Sequence, residues 1–197
     1  MNAKDVFNLA LSSLTNPRKT ANNLVKKKLN LGDGVLAIIM GALVPTIIGA
    51  FAALTVLSAM GAMFSWIPMM GGLGLLGVGI GAMAAVSIII AVPITLTIAW
   101  LIESVIVWVV ASALGGKGNF AKFASAWAFP MAAIFTLSWI PIVNFLAMLY
   151  AIYLLYVFLQ PTMKMDSNKA AVTVIALAVL GLICWSVFGG IAMFRMW

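Results

Sequence analysis

The chain has 197 residues, of which 65% are hydrophobic and 8% are charged, and its formal net charge is +7. Soluble domains carry about 25% charged residues, so this composition predicts an integral membrane protein. The chain contains no histidine and one cysteine, Cys184, which argues against a metal site, a disulfide framework and Ser-His or Cys-His catalysis. No nucleic-acid-binding motif accompanies the positive charge, so we expect no nucleic-acid partner. We also expect no cofactor.

Residues 1–34 are predicted to form a cytoplasmic amphipathic arm. Apolar residues at helical spacing, Val6, Leu9 and Ala10, indicate a first helix, and Asn16-Pro17 is typical of the start of a second. A basic cluster follows near the end of that helix, formed by Lys26, Lys27 and Lys28. The arm either binds anionic lipid or a partner protein at the membrane surface, or it covers the cytoplasmic face of the bundle while its lysines set the topology.

Gly32-Asp33-Gly34 is expected to break the chain after the arm, with Asp33 capping the first membrane span. The transmembrane domain would then occupy residues 35–197. Ten of the eleven Lys and Arg residues fall in three stretches, 4–28, 117–122 and 164–169. Basic residues mark cytoplasmic loops, so an even number of spans must separate these stretches, and the protein would have a cytoplasmic N-terminus and an outside C-terminus.

This charge rule decides the number of spans. The apolar block from Val35 to Leu114 has room for three spans, but three would place Lys117 outside, so we expect two. The predicted fold is an all-α bundle of five transmembrane helices, with spans at about 35–63, 83–114, 123–139, 143–159 and 170–194. The glycine-rich segment Phe64–Gly81 is left as an outer loop or as a short interfacial or re-entrant piece.

Glu103 is the one carboxyl or amine well inside a predicted span, about 18 Å along the helix from Gly115. A charge in hydrocarbon is costly, so such a residue is a candidate functional site. Tyr150 is the hydroxyl best matched in depth, and Tyr153 lies nearer the surface. We expect Glu103 to face the bundle interior and to hydrogen-bond a tyrosine or a backbone carbonyl. The contact would either fix helix register or serve a proton- or ligand-linked role.

The turn after the second span reads Gly115-Gly116-Lys117-Gly118. Its glycines could present backbone amides to a phosphate, with Lys117 and Lys122 nearby. They are also typical of a plain helix C-cap and turn. The strand–loop–helix context of a P-loop is missing.

Several motifs together resemble the Yip (Ypt-interacting protein) family, in its prokaryotic-type five-span form. They are Asn16-Pro17-Arg18-Lys19, the Gly115–Phe120 turn, Pro130 within the third span and Lys169-Ala170-Ala171 before the last. The resemblance covers nearly the whole chain. It implies a five-helix membrane protein with a cytosolic N-terminus and no known enzyme activity. Eukaryotic members bind Rab-type GTPases in membrane traffic, although their Asp-Leu-Tyr-Gly-Pro motif is absent here.

The resemblance carries functional residues over only to Gly115, Gly116, Gly118 and Glu103. Two functions remain open. The first is a non-enzymatic scaffold, related to membrane organisation or trafficking, that binds membrane lipids, a cytoplasmic protein or a small GTPase at its cytoplasmic face. The second is a small transporter or lipid-handling protein that uses Glu103. In either case we expect a multi-pass protein of a prokaryotic cell membrane. The protein could form an oligomer.

Overall fold

The computed structural model describes residues 1–65 and 71–194, except for the side chains of residues 61, 62, 64, 65, 71–78, 184, 185 and 187–194. Within the described residues the chain forms seven α-helices and no strand. They are α1 (Ala3–Thr15), α2 (Pro17–Lys26), α3 (Leu31–Ser65), α4 (Gly71–Ala113), α5 (Phe120–Leu137), α6 (Pro141–Met163) and α7 (Ser167–Phe194).

Four helices contain stretches long and apolar enough to cross a membrane, and they belong to α3, α4, α5 and α6. These stretches are Leu31–Met60, Gly79–Ala113, Phe120–Leu137 and Pro141–Met163. A further apolar stretch in α7, Ser167–Ile183, has 17 residues, which is close to the length of a short span. The predicted all-helical membrane fold is thereby confirmed. The exact limits of each span in the bilayer stay predictions.

The prediction of a loop or re-entrant piece at Phe64–Gly81 is wrong for most of that segment. Phe64 and Ser65 still belong to α3, and α4 already begins at Gly71, twelve residues before the predicted Met83; residues 66–70 lie outside the described residues. Neither a proline nor a charged residue interrupts the chain between Gly71 and Pro93. Packing against α3 favours the helix as well, because a Cβ added at Gly81 would lie 3.2 Å from the Leu54 carbonyl oxygen.

The expected chain break at Gly32-Asp33-Gly34 is also wrong, because α3 begins at Leu31 and includes all three residues in its first turn. The Asp33 amide donates to Asn30 Oδ1 at 2.9 Å, and the Asn30 amide donates to Asp33 Oδ2 at 3.1 Å. This reciprocal capping box satisfies two amides that a helix start otherwise leaves unpaired. Asp33 therefore does help to cap the first membrane helix, although from within it.

Helix α5 lies at the centre of the bundle, with twelve consecutive buried residues, 123–134. Small residues let α3 approach it closely, as is typical of membrane helix pairs. A Cβ added at Gly41 would lie 2.5 Å from the Ala132 Cα. Hydrogen bonds add to this contact, since the Ser125 hydroxyl donates at 2.7 Å to the carbonyl of Asn30, the residue before α3, and Thr136 donates to the Gly41 carbonyl at 3.3 Å.

The N-terminal arm, α1 and α2, packs against the flank of this bundle. The buried residues Val6 and Ala10 share a small cavity with Gly41 and Ala132. At the other end of α1, the Tyr150 hydroxyl donates to the Leu14 carbonyl at 2.8 Å. The arm therefore packs along the flank of the bundle, whereas the second interpretation expected it to cover the cytoplasmic face.

Helix α2 then returns along α6 in the opposite direction. The Thr20 hydroxyl bridges the two arm helices by donating to the Ser12 carbonyl at 3.0 Å. Arg18 and Asn22 lie opposite Tyr156 and Gln160 of α6, closer to the C-terminal end of α6 than Tyr150 is. The arm is therefore a helical hairpin that reaches the level of Tyr150, about 20 Å along α6 from its end at Met163.

The loops that carry the basic residues meet at one end of the bundle, which we call the basic end. The Lys117 amide donates to the Met163 carbonyl at 2.8 Å, which joins the α4–α5 loop to the end of α6. A Cβ added at Gly115 in that loop would lie 3.4 Å from the Lys169 Nζ. The Ser125–Asn30 hydrogen bond places the junction of the arm and α3 beside the first turns of α5.

Candidate functional site

Glu103 lies in α4, ten residues before the helix ends at Ala113, or about 15 Å along its axis. It is half-buried, and its Oε1 accepts a hydrogen bond of 3.2 Å from the Trp127 indole Nε1–H. The prediction that Glu103 bonds to a tyrosine or a backbone carbonyl is therefore wrong. A carboxylate or carboxyl oxygen accepts from an indole N–H readily, and an indole has no other polar group to satisfy.

Trp127 is held in place by the centre of the bundle. It lies among the buried residues of α5, and its ring meets the Phe158 ring of α6 edge to face with centroids 6.1 Å apart. Edge-to-face packing fixes the plane of the indole and so aims its N–H at α4. The Glu103–Trp127 bond thus links α4 to α5, with α6 as the support.

Two further polar atoms lie near Glu103 on α4. Trp100 Nε1 and Ser104 Oγ are buried and have no hydrogen-bond partner among the described residues. Residues 100 and 104 stand one helical turn apart on one face, and Ser104 follows Glu103 directly. Buried polar groups are nearly always paired, so this stretch of α4 carries unused hydrogen-bonding capacity beside an acid.

Within the described residues, no hydrogen bond joins Tyr150 or Tyr153 to Glu103. The Tyr150 hydroxyl anchors α1 through the Leu14 carbonyl, and its ring lies 5.6 Å from that of Tyr153, centroid to centroid. Tyr153 is 41% exposed on the outer surface of α6. Depth along a helix is readable from sequence, but the direction in which each face points is not. The hydrogen bonds of the described residues therefore do not unite the three residues that the sequence grouped as one polar site.

The Gly115–Gly118 turn uses its backbone amides within the protein. The Gly115 amide donates to Ser112 and the Gly116 amide to Ala111, in the pattern of a Schellman C-cap, with Gly115 at φ +91°. The Lys117 amide donates to Met163. Three amides that a phosphate would need are thus already engaged, which favours the C-cap and turn over a phosphate cradle.

Gly118 permits close contact between this turn and the end of α6. A Cβ at this position would lie 2.7 Å from the Met163 Cα and closer still to the Thr162 carbonyl oxygen. The Trp108 indole donates to the Gly118 carbonyl at 3.1 Å. The turn is therefore a packed connection between α4, α5 and α6.

The proposed basic residues all lie at the basic end. Lys26 ends α2, and Lys27 and Lys28 follow it, all three with exposed side chains. Lys117 is exposed and Lys122, in the first turn of α5, is half-buried.

Sequence analysis missed a polar groove of about 520 Å³ at this end. One wall is α2 and the other is α6, and the first residue of α7 completes it. The lining residues are Arg18, Asn22, Tyr156, Val157, Gln160, Pro161 and Ser167. Arg18 and Asn22 of α2 are distant in sequence from the residues of the consecutive helices α6 and α7, so no spacing pattern in the chain could have revealed the groove.

The family model described as the Yip1 domain matches residues 11–188, which include most of the arm, Glu103, Trp127 and every residue of the groove. The chain belongs to the Yip1 domain family. No curated protein and no solved structure matches it.

The Yip1 domain therefore corresponds here to one continuous bundle. Its matched region begins within α1 and extends into α7, so the arm hairpin from Leu11 onward is part of the domain. Together with the apolar helices, this identifies a multi-pass membrane protein of Yip type.

Proposed function

We propose that this protein is a non-enzymatic membrane scaffold that organises the surrounding bilayer by binding lipids or proteins at its basic end, which faces the cytoplasm. The convergence of the three basic stretches is the observation that carries the proposal. Ten basic residues lie in these stretches, against the acidic residues Asp5, Asp33 and Asp166. Each basic residue near an anionic membrane surface contributes about 1 kcal/mol of attraction.

The exposed side chains of the arm provide a second argument for lipid contact. Phe7 and Leu11, one helical turn apart on α1, are exposed although they are large and apolar. At the depth that the Tyr150–Leu14 bond indicates, such side chains face lipid at low cost. The polar residues of α2 lie nearer the basic end. The arm thus presents apolar side chains where acyl chains lie and basic ones where headgroups lie.

A protein partner is part of this proposal through the family resemblance. Eukaryotic relatives bind small GTPases, and a cytoplasmic protein or a small GTPase would meet the same basic end. The exposed lysines Lys26, Lys27 and Lys28 are the natural contact for an acidic surface.

The test reconstitutes the full chain in vesicles of phosphatidylglycerol and phosphatidylcholine and extracts it in polymer-bounded discs whose lipids are then counted. We expect phosphatidylglycerol to be enriched over the bulk composition, and the K26Q/K27Q/K28Q variant to lose most of that enrichment. Vesicles of phosphatidylcholine alone provide the control for incorporation and folding. The proposal is contradicted if the discs of the wild-type protein have the bulk lipid composition and the protein also captures no acidic partner protein.

A small transporter or lipid-handling protein is the second candidate. It is favoured by the unpaired polar atoms of Trp100 and Ser104 beside Glu103, which would suit a transient proton or polar ligand. The decisive measurement is proton flux into vesicles loaded with a pH-sensitive dye. Flux that disappears in Glu103→Gln supports this candidate, and equal leak for wild type and Glu103→Gln excludes it.

A further inference from the structure

The groove between α2, α6 and α7 has polar chemistry that the scaffold proposal does not yet use. Arg18 projects from α2 with an exposed side chain. In the part of the chain that the structure describes, the one ion pair joins the Met1 amino group to Asp33, so Arg18 has no acidic partner there. Guanidinium presents five N–H donors in a planar fork that matches phosphate oxygens.

The opposite wall adds neutral donors. The Tyr156 hydroxyl and the Ser167 hydroxyl lie 2.6 Å apart, and one hydrogen satisfies the bond between them. The second hydrogen of this pair is left to donate into the groove. Asn22 and Gln160 contribute side-chain amides. The N-terminus of α7 is already capped, because the Asp166 carboxylate accepts the Lys169 amide at 2.8 Å, so the donors on this wall are the hydroxyl pair and the amides.

The surface beside the groove is apolar and suits acyl chains. Positions 160, 156, 153, 152 and 149 lie on one stripe of α6, at spacings of three and four residues. Below Tyr156, the stripe exposes 41% of Tyr153, 48% of Ile152 and 54% of Leu149. From Gln160 to Leu149 the helix rises about 16 Å, close to the half-thickness of about 15 Å of the hydrocarbon core.

We propose that this groove binds the phosphate headgroup of an anionic phospholipid, whose acyl chains lie along the exposed stripe of α6. Arg18 pairs with the phosphate, and the Tyr156–Ser167 pair donates from the other side. Groove and stripe adjoin, which selects a lipid over a soluble phosphate compound. The inference deepens the scaffold proposal and rests on it, since it assigns one stoichiometric lipid where the lysine cluster provides only diffuse attraction.

The test titrates the full chain, purified in mild detergent, with phosphatidylglycerol and counts bound lipids by native mass spectrometry. The matched variants are Arg18→Gln and Lys19→Gln, since both change an exposed basic residue of α2 by the same charge and only Arg18 lines the groove. We expect one tightly bound phosphatidylglycerol in wild type and Lys19→Gln. We expect about tenfold weaker binding in Arg18→Gln, as befits a charged hydrogen bond.

Tyr156→Phe provides a second variant that keeps the ring. It should weaken binding by about fivefold, since Ser167 retains its hydroxyl. Thermal unfolding of each variant is measured as the control for a retained fold. Equal affinity of Arg18→Gln and Lys19→Gln overturns the groove assignment, and displacement of the lipid by an equal concentration of glycerol 3-phosphate overturns the lipid assignment.

The two proposals fail separately. Loss of phosphatidylglycerol enrichment in K26Q/K27Q/K28Q, together with unchanged binding in Arg18→Gln, keeps the scaffold and removes the groove. If the wild-type protein shows no enrichment of anionic lipid, the lipid-binding part of the scaffold proposal fails.

Discussion

Substitution of Gly41 by alanine should destabilise the bundle, because at this glycine α3 packs directly against the backbone of the central helix α5. An added Cβ would lie 2.5 Å from the Ala132 Cα and 2.8 Å from the Ala132 carbonyl carbon. Nonbonded carbons prefer about 3.5–4.0 Å. Both groups belong to helix backbones, so no side chain can rotate away and the two helices must separate by roughly 1 Å.

The cost follows from that separation. Overpacking of a tight interface costs about 1–3 kcal/mol, and the absence of a flexible neighbour places Gly41→Ala at the upper end of that range. The Thr136–Gly41 hydrogen bond, 3.3 Å long, would lengthen as well, but Thr136 keeps its shorter bond of 2.9 Å to the Ala132 carbonyl, so this loss adds little. The helix propensity of alanine offsets part of the cost, so we expect the free energy of unfolding to fall by about 2 kcal/mol.

The assay is unfolding of the purified protein by increasing dodecyl sulfate in mild detergent, followed by tryptophan fluorescence. Trp100 and Trp127 are buried and report the loss of packing. The matched control is Gly79→Ala, where an added Cβ meets no atom within 4 Å. Helix propensity makes that change neutral or slightly stabilising. Equal unfolding free energies for the two variants would refute the close-packing argument.

Three further predictions concern the other contacts. Trp127→Phe should lower the free energy of unfolding by about 1–3 kcal/mol, because it leaves the Glu103 oxygen without its donor, whereas Glu103→Gln keeps an acceptor and should cost much less. Tyr150→Phe should speed amide hydrogen exchange in α1 by about fivefold, because it removes the bond to the Leu14 carbonyl. Gly118→Ala should cost about 1–3 kcal/mol, measured by the same unfolding assay, since backbone atoms of α6 block the added Cβ.

Each of these predictions has its own control. A large loss in Glu103→Gln would contradict a simple hydrogen-bonding role and direct attention to proton chemistry. Tyr153→Phe, which changes an exposed tyrosine one turn away, should leave exchange in α1 unchanged. Gly118→Ala is compared with Gly79→Ala, and similar stability of the two would show that the turn adapts easily.

Local signals predicted the ends of several helices well. Pro17 begins α2 as expected, and the Gly115 turn ends α4 within two residues of the predicted Leu114. These signals act through the backbone of the residues themselves, so no distant contact is needed to interpret them. The start of α4 could not be predicted in this way, because glycine-rich apolar sequence is helical or not according to what packs against it.

The partner of Glu103 shows a second limit of sequence analysis. Depth matching suggested Tyr150, yet the bond is made by Trp127, an indole donor in the neighbouring span. The rotation of α4 about its axis decides which neighbour Glu103 meets, and that rotation is set by close packing at positions such as Gly34, where a Cβ would lie 2.9 Å from the Trp100 ring. A donor search that included indole N–H groups would have included Trp127 among the candidates.

By itself, the sequence determined that the chain is an all-helical membrane protein with its basic residues gathered in three stretches, because hydrophobic length and charge act locally on each segment. Only the tertiary structure decided that the arm packs against the bundle, that Glu103 pairs with Trp127, and that Arg18 joins Tyr156 and Ser167 around one groove. These features depend on which helix faces meet. The packing of small residues around α5 determines which helix faces are in contact, and that packing involves the whole bundle at once.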